Sequence, residues 1–393
     1  MLAAESRAGA KADSHPPLPG RLRVLFAVAI VMVLATALPA TAQSSSPGSN
    51  AGWHFEDDSF ADLWFHGLAV VGYYGFGPMP LYDPAYVLQA RQDRADQGLR
   101  ATALETERAR FLGAFSGDDA FEILHFVPAY FRGAGRSSAM EALTAVARTP
   151  SGMPAIRDER ARIGTAVVAQ VLATPAQRET LLSFVQVLDE EWRAVVGPRR
   201  TRDATEREGL LVELSARWQD AYAAPLASFL EAEGLSQGTA MLAAGLGAEG
   251  RFVPPSGPLA RGPVVALSQP TADVTVDAVL SSLVRELCYP AVRRAFLPFE
   301  ARFGTRVEAS RVSDLAATRC GELLLERHAP TQVAAFRTRF GIPQSGTARG
   351  FLSASGQSAG AAAFEGQLEE ALTRELNIHL DGARADALPV GRY

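Results

Sequence analysis

Between Ser236 and Pro270 the hydrophobic pattern of this chain changes period, and that change limits the folds open to it. On either side, apolar residues recur at three- and four-residue intervals, the mark of one buried helical face. Phe60, Leu63, Trp64, Leu68 and Val71 follow Asp57-Asp58-Ser59 in this way, so a helix starts there. Inside the stretch, Thr239–Leu246, Arg251–Val253 and Val264–Leu267 are short apolar runs separated by Gly and Pro clusters, which read as two or three strands. The expected class is α+β and predominantly α-helical. It has a helical N-terminal half, a small β element around 239–267, and a helical C-terminal half.

Further helices are predicted over 84–95, 105–115, 118–131, 138–148, 158–172, 175–196 and 205–233 before the β element. After it they are predicted over 274–289, 291–303, 309–328, 331–340 and 361–377. Pro128 should kink or end its helix. The Gly75–Pro80 stretch must be a loop. The Pro-Arg-Arg-Thr-Arg-Asp run at 198–203 reads as a solvated charged turn rather than a binding patch. The organisation is then a helical region over 53–235, a region with the small sheet over 236–340, a flexible, solvent-facing linker over 341–360, and a C-terminal helix and tail over 361–393.

Ahead of all this, Arg21 and Arg23 precede the apolar run Val24–Pro39, and Ala40-Thr41-Ala42 follows it. Basic residues, a short apolar segment and a small-x-small site make a secretory signal peptide, with cleavage expected between Ala42 and Gln43. The run is shorter than the roughly 18–20 residues that span a bilayer, so the mature chain is not expected to be an integral membrane protein. The expected location is periplasmic or secreted. Residues 43–52 form a Ser/Gly/Pro/Asn leader with nothing to bury. Of the 38 basic residues only Lys11 is a lysine, and cleavage removes it. The formal charge of −5 gives no support for a nucleic-acid partner. Two cysteines allow neither a disulfide scaffold nor a CxxC-type zinc module.

Chemistry is most suggestive just after the β element, in Leu283-Val284-Arg285-Glu286-Leu287-Cys288-Tyr289 on one helix and Arg319-Cys320-Gly321-Glu322 on another. Over roughly residues 236–328 this resembles a zincin metallopeptidase of the gluzincin branch. There H-E-x-x-H on a helix supplies two zinc ligands and a water-polarising Glu, and a Glu on a later helix supplies the third ligand. Arg285-Glu286-x-x-Tyr289 keeps only the Glu. Arg285 has no lone pair to offer, and a tyrosine phenol is not a usual zinc ligand. The resemblance therefore implies a degenerate site with no metal and no cofactor. Glu286 is its vestigial catalytic residue, Arg285 and Tyr289 stand at the lost ligand positions, and Glu322 is paired to Arg285. Such a protein is a pseudo-peptidase or a binding or structural protein, with a peptide or another envelope protein as partner. An unrelated helical protein and an active metallohydrolase with non-standard ligands stay open beside it.

The cysteines test that arrangement. Cys288 lies two residues from Glu286, and Cys320 two from Glu322, about 200° around a helix in each case. If the two glutamates converge the thiols diverge, so a Cys288–Cys320 bridge excludes the gluzincin-like site. His66 and His125 read as core-edge histidines with one satisfied hydrogen bond each. The aromatic segment from Trp64 to Tyr86 reads as core packing rather than a ligand groove.

Overall fold

The computed structural model describes residues 52–72, 81–115, 118–149, 155–255, 262–271, 274–302, 306–344 and 359–380. The signal peptide over 1–42, the leader up to residue 51, the Gly75–Pro80 loop, most of the 341–360 linker and the tail after residue 380 lie outside them. Of the linker's described start, Ile342 is buried in the core rather than facing solvent.

Strand β1 (Trp53–Glu56) opens the described chain, and helices α1 (Ser59–Val71), α2 (Pro84–Asp96), α3 (Asp118–Phe131), α4 (Arg136–Arg148), α5 (Glu159–Val171) and α6 (Pro175–Glu191) follow. Two short helical segments, Ala103–Thr106 and Arg108–Ala114, lie between α2 and α3. A π-helical turn over Trp192–Val196 carries α6 into α7 (Gly197–Arg202). Next come α8 (Ala204–Trp218) and α9 (Ala227–Ala232), then β2 (Gly238–Ala243), β3 (Arg251–Val253) and β4 (Val264–Ser268). The C-terminal helices are α10 (Val276–Leu287), α11 (Tyr289–Phe296), α12 (Arg306–His328), α13 (Val333–Arg339) and α14 (Ala359–Leu380). The class is helix-dominated α+β.

The sheet has the order β1-β2-β4-β3, with β1, β2 and β4 parallel and β3 antiparallel at the edge beside β4. Its two faces serve two cores. Met241, Ala243, Val264 and Ala266 pack with α1 and the N-terminal helices. Trp53, Phe55, Ala240, Leu242, Val265 and Leu267 pack with the C-terminal helices. Alternate residues of a strand point to opposite faces, so a sheet covered on both sides needs continuous apolar runs, which β2 and β4 provide.

Three local expectations need correction. β1 falls where a helix-rich stretch was expected, although Trp53 and Phe55 alternate with the less buried His54 and Glu56 as in a strand. Of the kink or end expected at Pro128, the end does not occur, and α3 runs on to Phe131. A proline cannot donate to the carbonyl four residues back, and that freed carbonyl, Leu124 O, accepts from Trp64 Nε1 at 2.8 Å instead. The 198–203 run is the helix α7 and its flank, not a solvated turn. Arg200 donates to Asp57 and Asp62 at 2.8 Å, Arg199 pairs with Asp93, and Arg207 of α8 meets Asp57, Asp62 and Gln269. Because Asp62 Oδ1 also accepts from Ala244 N–H, this network ties α1 to the end of β2.

Candidate functional site

Helix α10 starts where Thr275 caps it, the Thr275 hydroxyl accepting from Ala278 N–H at 3.2 Å. From Val279 to Leu287 every residue is buried, the two charged ones included. Arg285 and Glu286 are each 1% exposed, so their charges must be answered inside the protein. Arg285 is the hub. Its Nη1 makes a short ion pair with Glu286 Oε1, its Nε donates to Thr318 Oγ1 at 3.1 Å, and its Nη2 donates to Asp314 Oδ1 at 3.2 Å. Nη2 also reaches the Asp314 carbonyl at 3.3 Å and Glu249 Oε1 at 3.5 Å. Tyr289 donates its phenol hydrogen to the same Asp314 carboxylate, and the Arg285 guanidinium lies 5.6 Å from the Tyr289 ring.

Positions 285 and 289 are one helical turn apart, as are 314 and 318 on α12, so each pair presents to the facing helix. Gly321 of α12 lies against the Phe336 ring of α13. A Cβ there would stand 2.7 Å from the Phe336 ring and 3.5 Å from Arg285 Cα. Gly250, after β2, is pressed on the other side. Its N–H donates to Glu286 Oε1 at 3.3 Å, and a Cβ would meet Glu286 Cγ at 2.6 Å.

Carboxylates outnumber the available cations here. Burial pushes Glu249 up to about 7, with Asp314 and Glu286 adding to the rise while Arg251 and Arg285 oppose it. Burial likewise raises Glu286, against the pull of Arg285 and Arg251, and Glu286 Oε2 is a buried oxygen without a partner. Arg285 stays charged. Burial works against its charge, but Tyr289, Glu286, Asp314 and Glu249 together hold its pKa well above the ordinary value. The Tyr289 phenol is held protonated by burial.

Arg285, Glu286 and Tyr289 are thus brought together, and Glu322 is not among them. Cys288 and Cys320 form a disulfide, with their Cα atoms 6.0 Å apart. By the two-residue offset, joining the thiols turns the two glutamates apart. Glu322, fully buried, accepts from Arg319 at 2.6 Å and Arg337 at 2.8 Å. Arg319 continues to Glu369 of α14, and Arg337 to Glu326. Glu322 is a staple of α12, α13 and α14. Its expected pairing with Arg285 does not occur.

The residue of α12 that faces positions 285 and 289 is Asp314, two turns before Glu322. Sequence reading missed it, together with Thr318, Glu249 and Arg251. Glu249 did carry a signal, as the one charged residue in the apolar Gly245–Gly250 segment. Asp314 carried none, because its α12 neighbours include several other polar residues. The set also bears on metal binding. The space among Glu249, Glu286 and Asp314 already holds a guanidinium, and a second cation there would be repelled. Among the described residues no group of three or more His, Cys, Asp or Glu side chains is placed to hold a metal ion.

Elsewhere, His66 is fully buried with two partners rather than one, Tyr86 OH at 2.8 Å and Glu191 Oε2 at 3.1 Å. His125 Nδ1 meets Tyr82 OH at 3.0 Å. Trp64, Phe65, Tyr82 and Tyr86 of the aromatic segment are core residues, while 73–80 lies outside the described residues. No described helix is long and apolar enough to cross a membrane. No protein-family model matches the chain, and no curated protein or solved structure matches it.

Proposed function

We propose that this chain is an exported protein, periplasmic or secreted, which acts by binding or by structural support and not as a peptidase. The observation that carries this reading is Arg285. Its guanidinium occupies the middle of Glu249, Glu286 and Asp314 and supplies the positive charge that a catalytic metal would bring. A zincin-like frame supports the reading in a reduced form. Arg285, Glu286 and Tyr289 keep the spacing of the helix signature, an antiparallel edge strand lies beside them, and Asp314 stands on the later helix. Glu322 has no part in this frame, and the Cys288–Cys320 bridge lies beside it. The same bridge supports export, since structural disulfides persist in oxidising compartments. The partner on this reading is a peptide or another envelope protein.

The test is metal analysis of the purified chain beside the R285H/Y289H variant. Wild type is expected to hold no stoichiometric zinc. The variant, with imidazoles at positions 285 and 289 facing Asp314, is expected to take up one equivalent, measured by calorimetry and by circular dichroism on the same sample. Stoichiometric zinc in the wild type would overturn the non-catalytic reading. A folded variant that ignores zinc would remove the zincin-like frame.

A further inference from the structure

Away from the Arg285 centre, a groove of about 410 Å³ runs between the first turn of α10 and helix α13, lined by Thr275, Ala278, Ala334, Ala335, Thr338 and Arg339. We propose that this groove is a binding site for a carboxylate group and that Arg339 is the residue that holds it.

Most half-buried arginines among the described residues pair with an acid, and Arg339, like Arg178, does not. Arg200, Arg294, Arg319 and Arg337 each meet a carboxylate. Arg339 is held only by neutral oxygens. Its Nε donates to Ser282 Oγ at 3.2 Å, and its Nη2 donates to Ser268 Oγ at 2.7 Å and to the Gly247 carbonyl at 2.8 Å. These three contacts, from α10, β4 and the loop after β2, fix the plane of the guanidinium. Nη1 takes part in none of them, so it is left for a ligand in the groove. Burial without a contacting carboxylate brings the Arg339 pKa down to about 10, and Asp83 is the acid whose field opposes that fall. A cation partly removed from water and lacking a counter-ion is an unfavourable state, which a bound anion relieves.

The surroundings select the anion. The N-terminal end of α10 adds partial positive charge at the same end of the groove. Asp277 in that turn is already engaged by Arg217 at 2.7 Å. One guanidinium, with Asp83 and Asp277 close by, suits a single negative charge better than the two of a phosphate. The methyl groups of Ala278, Ala334 and Ala335 leave room for a small apolar group behind the carboxylate. A free organic acid and the C-terminus of a peptide share this chemistry, and the experiment separates them.

The full mature chain is titrated with acetate, with an N-acetylated tripeptide bearing a free C-terminus, with its C-terminal amide, and with inorganic phosphate. The NMR resonances of the groove residues Ala278 and Thr338, present in every variant, are followed throughout. Expected is saturable binding of the free tripeptide in the millimolar range or tighter. The amide and phosphate should bind at least about tenfold more weakly, and so should the R339Q variant, which loses a charge-assisted hydrogen bond. Acetate binding as well as the tripeptide assigns a free acid as the source, and tighter tripeptide binding assigns a peptide end. In case R339Q loses its fold, A334E serves as a second variant. Ala334 is exposed, and a glutamate there competes for Arg339 and should abolish binding while leaving the circular dichroism unchanged. Absence of binding, or equal affinity for acid and amide, or unchanged affinity in A334E, overturns the proposal.

Discussion

Arg285 makes its five polar contacts within a site closed to water, so its removal leaves Glu286 and Asp314 buried with no cation between them. R285M is expected to lower unfolding stability by about 3–5 kcal/mol in urea titration. The E286Q change in that background should recover part of the loss, because it removes one of the uncompensated charges. Recovery by E286Q of none of it would mean that Glu286 is already neutral in the R285M protein. Two titrating carboxyls act in opposite directions on the pH dependence of stability. Glu249 is raised from 4.5 to about 7, so the folded state keeps a proton that the unfolded state has lost, and stability falls as pH rises from about 4.5 to about 7. Glu191 is lowered to about 2 despite its burial, held there by His66 and Arg94, so its stabilisation is present above 4.5 and is lost as pH falls toward 2. Wild type should therefore be most stable near pH 5 by thermal unfolding. E249Q should flatten the limb between 4.5 and 7 and leave the acid limb in place.

At the level of elements, a covalent bond ties the end of α10 to α12, and a missing side chain lets α12 pack on α13. The Cys288–Cys320 bridge spans a sequence separation of 32, and a loop of that size stabilises by about 3–4 kcal/mol through the unfolded chain. C288A/C320A is expected to unfold at correspondingly lower urea concentration while keeping its helical circular dichroism. Gly321 is a matter of volume, since the added methyl of G321A must displace the Phe336 ring. A loss of about 1–3 kcal/mol is expected, with the α12–α13 contact loosened, which faster amide exchange in α13 would report. The helices themselves were readable, since their periodicity and caps are local. The path of α6 through a π-helical turn into α7 was not. Pro198 and four consecutive polar residues look like a break, and they stay helical because Asp57, Asp62 and Asp93 from distant segments engage Arg199 and Arg200.

Across the molecule, the sheet separates two hydrophobic cores, so each half of the chain depends on strands contributed from elsewhere. β1, an edge strand from the start of the described chain, pairs with β2 nearly two hundred residues on. The proposed export is checked directly. Mass spectrometry of the protein recovered from the cell envelope or medium should give a chain beginning at Gln43 with the two thiols oxidised. A chain retaining residues 1–42 with free thiols would contradict the exported reading.

The class, the place of the β element and the positions of most helices were already legible in the residues, because hydrophobic period and capping act over a few neighbours. So was the interest of Arg285, Glu286 and Tyr289, since their spacing is that of one helical turn. What those residues meet was settled by packing between distant segments. Asp314 and Thr318 of α12 meet Arg285 while Glu322 is held by Arg319 and Arg337, and which face of α12 turns to α10 is not written in α12 alone. Glu249 and Gly250 arrive from a loop whose course depends on β3 pairing with β4. The Arg339 groove has the same origin. Its three anchoring oxygens come from α10, β4 and the β2–β3 loop, and only their packing leaves that arginine without an acid.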